Sequence, residues 1–102
     1  MALVVVLYAT PPDAAAFDKY YVETHVPLAK KLPGLRKFEL SAGPIASPSG
    51  PSAYHQIAVL HFDDMAAVGE AMASPEGQTA AADAQTLMAD DSQLLYFETR
   101  EV

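Results

Sequence analysis

Residues 3–8, Leu-Val-Val-Val-Leu-Tyr, are apolar at every position. A strand with one wet face alternates apolar and polar residues, so a strand without alternation has to be covered on both faces. In a chain of 102 residues, large enough for one modest core and too small for two, that requirement is demanding. One layer of helices can cover one face of a sheet built on this strand. Something else must cover the other.

The rest of the chain supplies such a sheet. Thr10-Pro11-Pro12-Asp13 is a turn, and Asp13 or a neighbour caps the helix that follows. From Ala14 to about Lys31, Phe17, Tyr21, Thr24, Leu28 and Leu32 fall on one helical stripe. Pro33-Gly34 closes this helix, and Pro27 inside it predicts a kink by removing the bond to the Glu23 carbonyl. Residues 35–40 mix charge with apolar side chains, as an edge strand does. Residues 43–52 hold three prolines, two glycines and three serines and read as a mobile hairpin loop. Residues 53–62 form a long strand with neither face cleanly polar. Asp63-Asp64 caps a short helix over 65–73, and Ser74-Pro75 restarts a helix that runs to about Ala89. Residues 93–102 are the last strand. The order βαββαβ predicts a ferredoxin-like α+β sandwich over 1–102, a single domain with an antiparallel four-stranded sheet and the first and third strands central. A second copy of the chain, pairing sheet to sheet, is the simplest cover for the open face.

Composition narrows the function. Thirteen acidic against six basic residues give a net charge of −7, which repels nucleic acid phosphates. The one basic cluster, Lys30, Lys31, Arg36 and Lys37, reads as a solvated helix end beside an edge strand. No apolar run approaches the ~20 residues that span a bilayer, and the N-terminus reads as a strand, lacking the basic region of a signal peptide. There is no cysteine, hence no disulfide framework or thiol nucleophile. The expected setting is cytoplasmic, with no nucleic acid or membrane partner.

The chemistry concentrates in residues 17–28, Phe-Asp-Lys-Tyr-Tyr-Val-Glu-Thr-His-Val-Pro-Leu. At about 100° per residue, Tyr21 points into the core stripe, His25 lies at its margin and Tyr20 on the other flank. His25 there can keep its ring against the core and turn one nitrogen to a cavity as a general acid or base. Tyr21 can donate a hydrogen bond to a carbonyl or developing enolate. The structural alternatives are a His25 hydrogen bond near Pro27, Tyr21 as core filling, and Tyr20 as a rim or interface residue. His55 and His61 share one phase of the third strand, facing either the pocket or the dimer interface. About 20 Å apart, they cannot share a metal ion, and no spacing matches a zinc motif. No metal or cofactor is expected, since only a lone histidine could be a haem ligand. Asp83 shares a helix face with Ala80 and Leu87; if buried it needs a partner such as a histidine, and otherwise it is a partly exposed acid.

Tyr20-Tyr21-x-x-x-His25-x-Pro27-Leu28, with Leu32-Pro33-Gly34-Leu35, resembles the EthD family of dimeric α/β-barrel proteins. So do Tyr54-His55-x-Ile57-Ala58, Leu60-x-Phe62-Asp63, Ser74-Pro75-Glu76-Gly77 and the region of Asp83. The family is named for a small protein associated with degradation of ethyl tert-butyl ether. The resemblance implies a protomer that pairs into a two-chain barrel, with a pocket between sheet and helices. Related barrel families include monooxygenases, decarboxylases, dehydratases and isomerases of small molecules, and kinship of fold does not carry over a reaction.

Two functions follow as expectations. In the first, the pocket binds and transforms an apolar or aromatic carbonyl compound by cofactor-independent oxidoreductase, lyase or isomerase chemistry. His25 and Tyr21 are then catalytic, with Tyr20, His55 and Asp83 contacting the substrate. In the second, the protein is a non-catalytic accessory that holds a ligand of a degradation pathway.

Overall fold

The computed structural model describes residues 1–102. In chain order the elements are β1 (Ala2–Ala9), α1 (Ala14–Tyr20), a π-helical turn (Tyr21–His25), α2 (Val26–Ala29), β2 (Lys37–Leu40), β3 (Ala46–Ser47), β4 (Gly50–Pro51), β5 (Tyr54–Phe62), α3 (Met65–Ala73), α4 (Pro75–Leu87) and β6 (Gln93–Glu98). Four strands form one sheet in the order β2-β5-β1-β6, every neighbouring pair antiparallel. The two central strands are β1 and β5, the most apolar in the chain. This is the ferredoxin-like α+β fold. No helix is long and apolar enough to cross a membrane.

Alternation sorts the strands into two faces. Ala2, Val4, Val6 and Tyr8 of β1 join Ala58, Leu60 and Phe62 of β5 beneath the helices, where Phe17, Tyr21, Leu32, Val68, Ala71 and Ala80 complete the core. On the other face Val5 pairs with Val59 and Leu95, and Leu3 with Phe97. No element of the protomer covers that face. Leu95 and Phe97 are each 43% exposed.

Local chemistry sets the helix ends. Asp13 accepts from the Ala16 N–H, Asp64 from Ala67 and Ser74 from Gly77, each satisfying an orphan donor of a first turn. Pro75 occupies the first helical position of α4, where a missing N–H costs nothing. At Gly77 a Cβ would lie 1.9 Å from the Ala71 carbonyl oxygen, so only glycine allows α3 and α4 this close. Gly34, at φ +79°, turns the chain out of the first helix after Pro33.

Three expectations are corrected. Residues 43–52 are not all loop: β3 and β4 pair as a two-stranded ladder, with the Ser47 hydroxyl donating to the Gly50 carbonyl at 2.8 Å. The last strand ends at Glu98 and not at Val102, because its partner Ala2 is nearly the first residue and β1 offers no further ladder. The first helix is not one α-helix. It widens into a π-helical turn just before Pro27, with the Val26 N–H bonding back to the Tyr21 carbonyl.

Candidate functional site

The π-helical turn decides which residues reach the interior. An i→i+5 turn holds one more residue than an α-turn, and such bulges shift the helical phase downstream. The uniform α stripe through Thr24 and Leu28 therefore slips by one position. Thr24 is exposed and Leu28 half-buried, while His25 and Ala29 are buried. His25, placed by the sequence at the margin, is 5% exposed and sits ring to ring with Tyr21, centroids 4.9 Å apart.

A buried imidazole needs partners. The His25 Nδ1–H donates to Asp83 Oδ2 at 2.9 Å, across the contact between the first helical segment and α4. The Asp83 side chain is 14% exposed, and its other oxygen, Oδ1, accepts from the Tyr20 hydroxyl at 2.5 Å. A carboxylate only accepts, so both neighbours must donate. Committing Nδ1–H to Asp83 leaves the Nε2 lone pair of neutral His25 uncommitted. The hydrogen bond to Asp83 also holds the Tyr20 hydroxyl above its ordinary pKa.

Beneath His25, between sheet and helices, lies a cavity of about 60 Å³. Fifteen residues line it and fourteen are hydrophobic; His25 is the exception. Val4, Val6 and Leu60 form the floor, Ala80 and Ala84 one wall, and the exposed Leu94, Tyr96 and Ala81 mark where it opens to solvent. Tyr21 and Tyr8 meet here edge to face at 5.5 Å. Burial raises the Tyr8 hydroxyl to about 12 and pushes Tyr21 higher still. The two hydroxyls are near enough to bear on each other's ionisation, yet Tyr8 Oη makes no hydrogen bond of proper geometry.

Of the five residues singled out in the sequence, His25 and Tyr21 line this cavity, while Asp83 and Tyr20 stand behind His25. Neither of the latter two is among the residues lining that cavity; both connect to it through His25. His55 lies elsewhere. The β1–β5 register shifts at Tyr8/Ala9, and this irregularity breaks the phase that His55 was expected to share with His61. His55 turns to the helix side, where Nε2 meets Asp18 Oδ1 at 2.7 Å and its ring edges Phe17 in a separate polar cleft. His61 faces the open side and meets Glu39 Oε1 at 2.7 Å. No three acidic or histidine side chains converge on a point that could hold a metal ion.

Tyr8, which in the sequence is simply the last apolar residue of the first strand's run, also lines the cavity. The signal was present: it shares the inward parity of Val4 and Val6 and carries a polar tip.

Comparison with known proteins places the chain in context. Residues 10–91 match the model of the EthD domain. An uncharacterized 11.0 kDa protein in the thcB-thcC intergenic region of Rhodococcus erythropolis is 40% identical over 104 residues, spanning 100% of this chain and 98% of the relative. The crystal structure of an ethyl tert-butyl ether degradation (EthD) family protein from Bacillus halodurans superposes with a TM-score of 0.89 at 32% identity, covering 98% of this chain and 99% of the other. SnoaB, a cofactor-independent oxygenase from Streptomyces nogalater, shares the fold at a TM-score of 0.66 and 19% identity, covering 99% of this chain and 94% of the other.

Proposed function

The chain belongs to the EthD family, and on that premise we propose that it is a protein of small-molecule metabolism. It binds an apolar or aromatic carbonyl compound in the cavity between sheet and helices, with His25 as the acid/base group. The observation that carries this reading is the one histidine lining a mostly apolar cavity, oriented from behind by a carboxylate. The Nδ1–H bond to Asp83 fixes the ring and stabilises positive charge when Nε2 takes a proton. Tyr21, one turn before, supplies a hydroxyl to the ligand oxygen.

The working unit in this reading is a homodimer. Leu3, Val5, Leu7, Ile57, Val59, Leu95 and Phe97 make a continuous apolar face, rimmed by Lys37, Glu39 and His61. Exposed apolar faces of this kind are covered in soluble proteins, and a self-complementary two-fold pairing is the commonest solution. Solved relatives of the same fold include a dimeric ferredoxin-like protein from Thermobifida fusca, which supports the pairing by analogy of fold.

The test is proton exchange. Aryl ketones incubated in deuterium oxide should lose their α-proton signals faster with the protein than without it. His25→Ala should lower that rate by about 10²–10⁴-fold, the usual worth of a positioned acid or base. A ligand that binds with no acceleration by the native protein would make this a non-catalytic ligand-holding protein.

A further inference from the structure

Two buried polar atoms, Tyr8 Oη and Gln56 Nε2, make no hydrogen bond of proper geometry, and only the first belongs to a residue lining the cavity. Tyr8 is 0% exposed, its hydroxyl makes no hydrogen bond of proper geometry although the Tyr21 hydroxyl is near, and it lines the same cavity as Tyr21 and His25. Native proteins seldom leave a buried hydroxyl unpaired, because its desolvation is then uncompensated. Burial keeps both tyrosines protonated through the neutral range, so both are donors. Two neighbouring tyrosines and one histidine therefore line a space whose other lining side chains are apolar, save Tyr96 at the mouth. Hydrogen-bond donors in such a space favour an oxygen on which negative charge develops.

We propose that Tyr8 and Tyr21 together hold the oxygen of a planar aromatic oxyanion, a phenolate or the enolate of an aryl ketone, formed when His25 takes the ligand's proton. This rests on the reading of the cavity as an aromatic ligand site with His25 as acid/base, and adds Tyr8 and the anionic bound form. In the step, the O–H bond of a phenol, or the α-C–H bond of a ketone, breaks and its proton passes to His25 Nε2. The electron pair stays on the phenol oxygen; in the ketone the C–H pair forms the new C=C bond and the carbonyl π pair moves onto the oxygen. That oxygen accepts from both tyrosines. The imidazolium keeps its Nδ1–H on Asp83. Returning the proton regenerates the protein, so no oxidant or cofactor enters. The ring of the ligand extends toward the mouth between Leu94 and Tyr96, since the cavity itself has room only for the reacting end.

The test compares 4-nitrophenol with its methyl ether, 4-nitroanisole, which keeps the ring but has no proton to give. Binding is followed by the phenolate absorbance for the first and by tyrosine fluorescence quenching for both, at a pH below the ionisation of free 4-nitrophenol. The native protein should bind 4-nitrophenol with the phenolate band present. Tyr8→Phe and Tyr21→Phe should each weaken that binding about tenfold or more, the worth of a hydrogen bond to a charged group, and leave 4-nitroanisole unaffected. Binding of both compounds with no phenolate band, or equal affinity for 4-nitrophenol in both variants and the native protein, overturns the oxyanion site and leaves the aromatic cavity standing. Binding of neither compound overturns both.

Discussion

Tyr8→Phe should make the ligand-free protein more stable. The substitution removes one oxygen that is buried without a partner and leaves the ring in place, edge to face with Phe17 at 5.4 Å and Tyr21 at 5.5 Å. The desolvation cost of an unsatisfied polar group is roughly 1–3 kcal/mol. Because the Tyr21 hydroxyl is a loose neighbour, the gain should fall at the low end, about 1 kcal/mol. The alkaline limb gives a second magnitude. Burial raises Tyr8 from 10.0 to about 12 in the folded protein. A folded pKa above the unfolded one contributes stability that is whole below the unfolded value and is lost as pH rises through the folded value. At somewhat over 1 kcal/mol per unit, two units make on the order of 3 kcal/mol lost by the native protein between about pH 10 and 12. Tyr8→Phe lacks this contribution, while those of Tyr21 and Tyr20 remain. Urea unfolding followed by circular dichroism, at fixed protein concentration because association would shift the midpoint, measures both effects. A lower midpoint at neutral pH with an unchanged m-value would refute the reasoning, since the hydroxyl would then be satisfied in the free protein.

Three further outcomes are expected. Gly77→Ala places a Cβ 1.9 Å from the Ala71 carbonyl oxygen; separating α3 from α4 should cost about 1–3 kcal/mol or more, read as a fall in the urea midpoint. Leu95→Lys puts a charge on the open sheet face at a position the protomer leaves 43% exposed; on the proposed sheet-to-sheet pairing, sedimentation at micromolar concentration should show dimers of the native protein and folded monomers of the variant. Asp83→Asn leaves one amide oxygen where two carboxylate oxygens accept from Tyr20 and His25. It should cost roughly 1–3 kcal/mol and reduce α-proton exchange along with His25→Ala.

The fold was legible because its signals are local and agree with one another. The unbroken apolar run of β1 demanded cover on two sides, and the two capped helices at Asp64 and Ser74 stand where the sequence puts them. The site was legible in its members and not in its geometry. A uniform α-helix from Ala14 onward leaves His25 at the edge of the stripe. The π-helical turn, which no propensity or period announces, carries it inside. The same limit applies to His55, whose side of the sheet depends on an irregularity in the pairing of β5 with β1. Tyr8 was hidden by its own strand, since parity shows which way a side chain points and says nothing of whether its hydroxyl finds a partner. Asp83 could be paired with a histidine in principle, but only tertiary structure selects His25 from three.

The central claim is that His25, alone among the histidines, handles the proton of a ligand in the apolar cavity. Imidazole nitrogen resonances of the ¹⁵N-labelled protein, recorded while 4-nitrophenol is added, test it most directly. The account predicts that in the free protein neutral His25 carries its proton on Nδ1. On binding, its Nε2 should move to a protonated shift, while His55 on Asp18 and His61 on Glu39 stay where they were. An unmoved His25, or equal movement of all three, would contradict it.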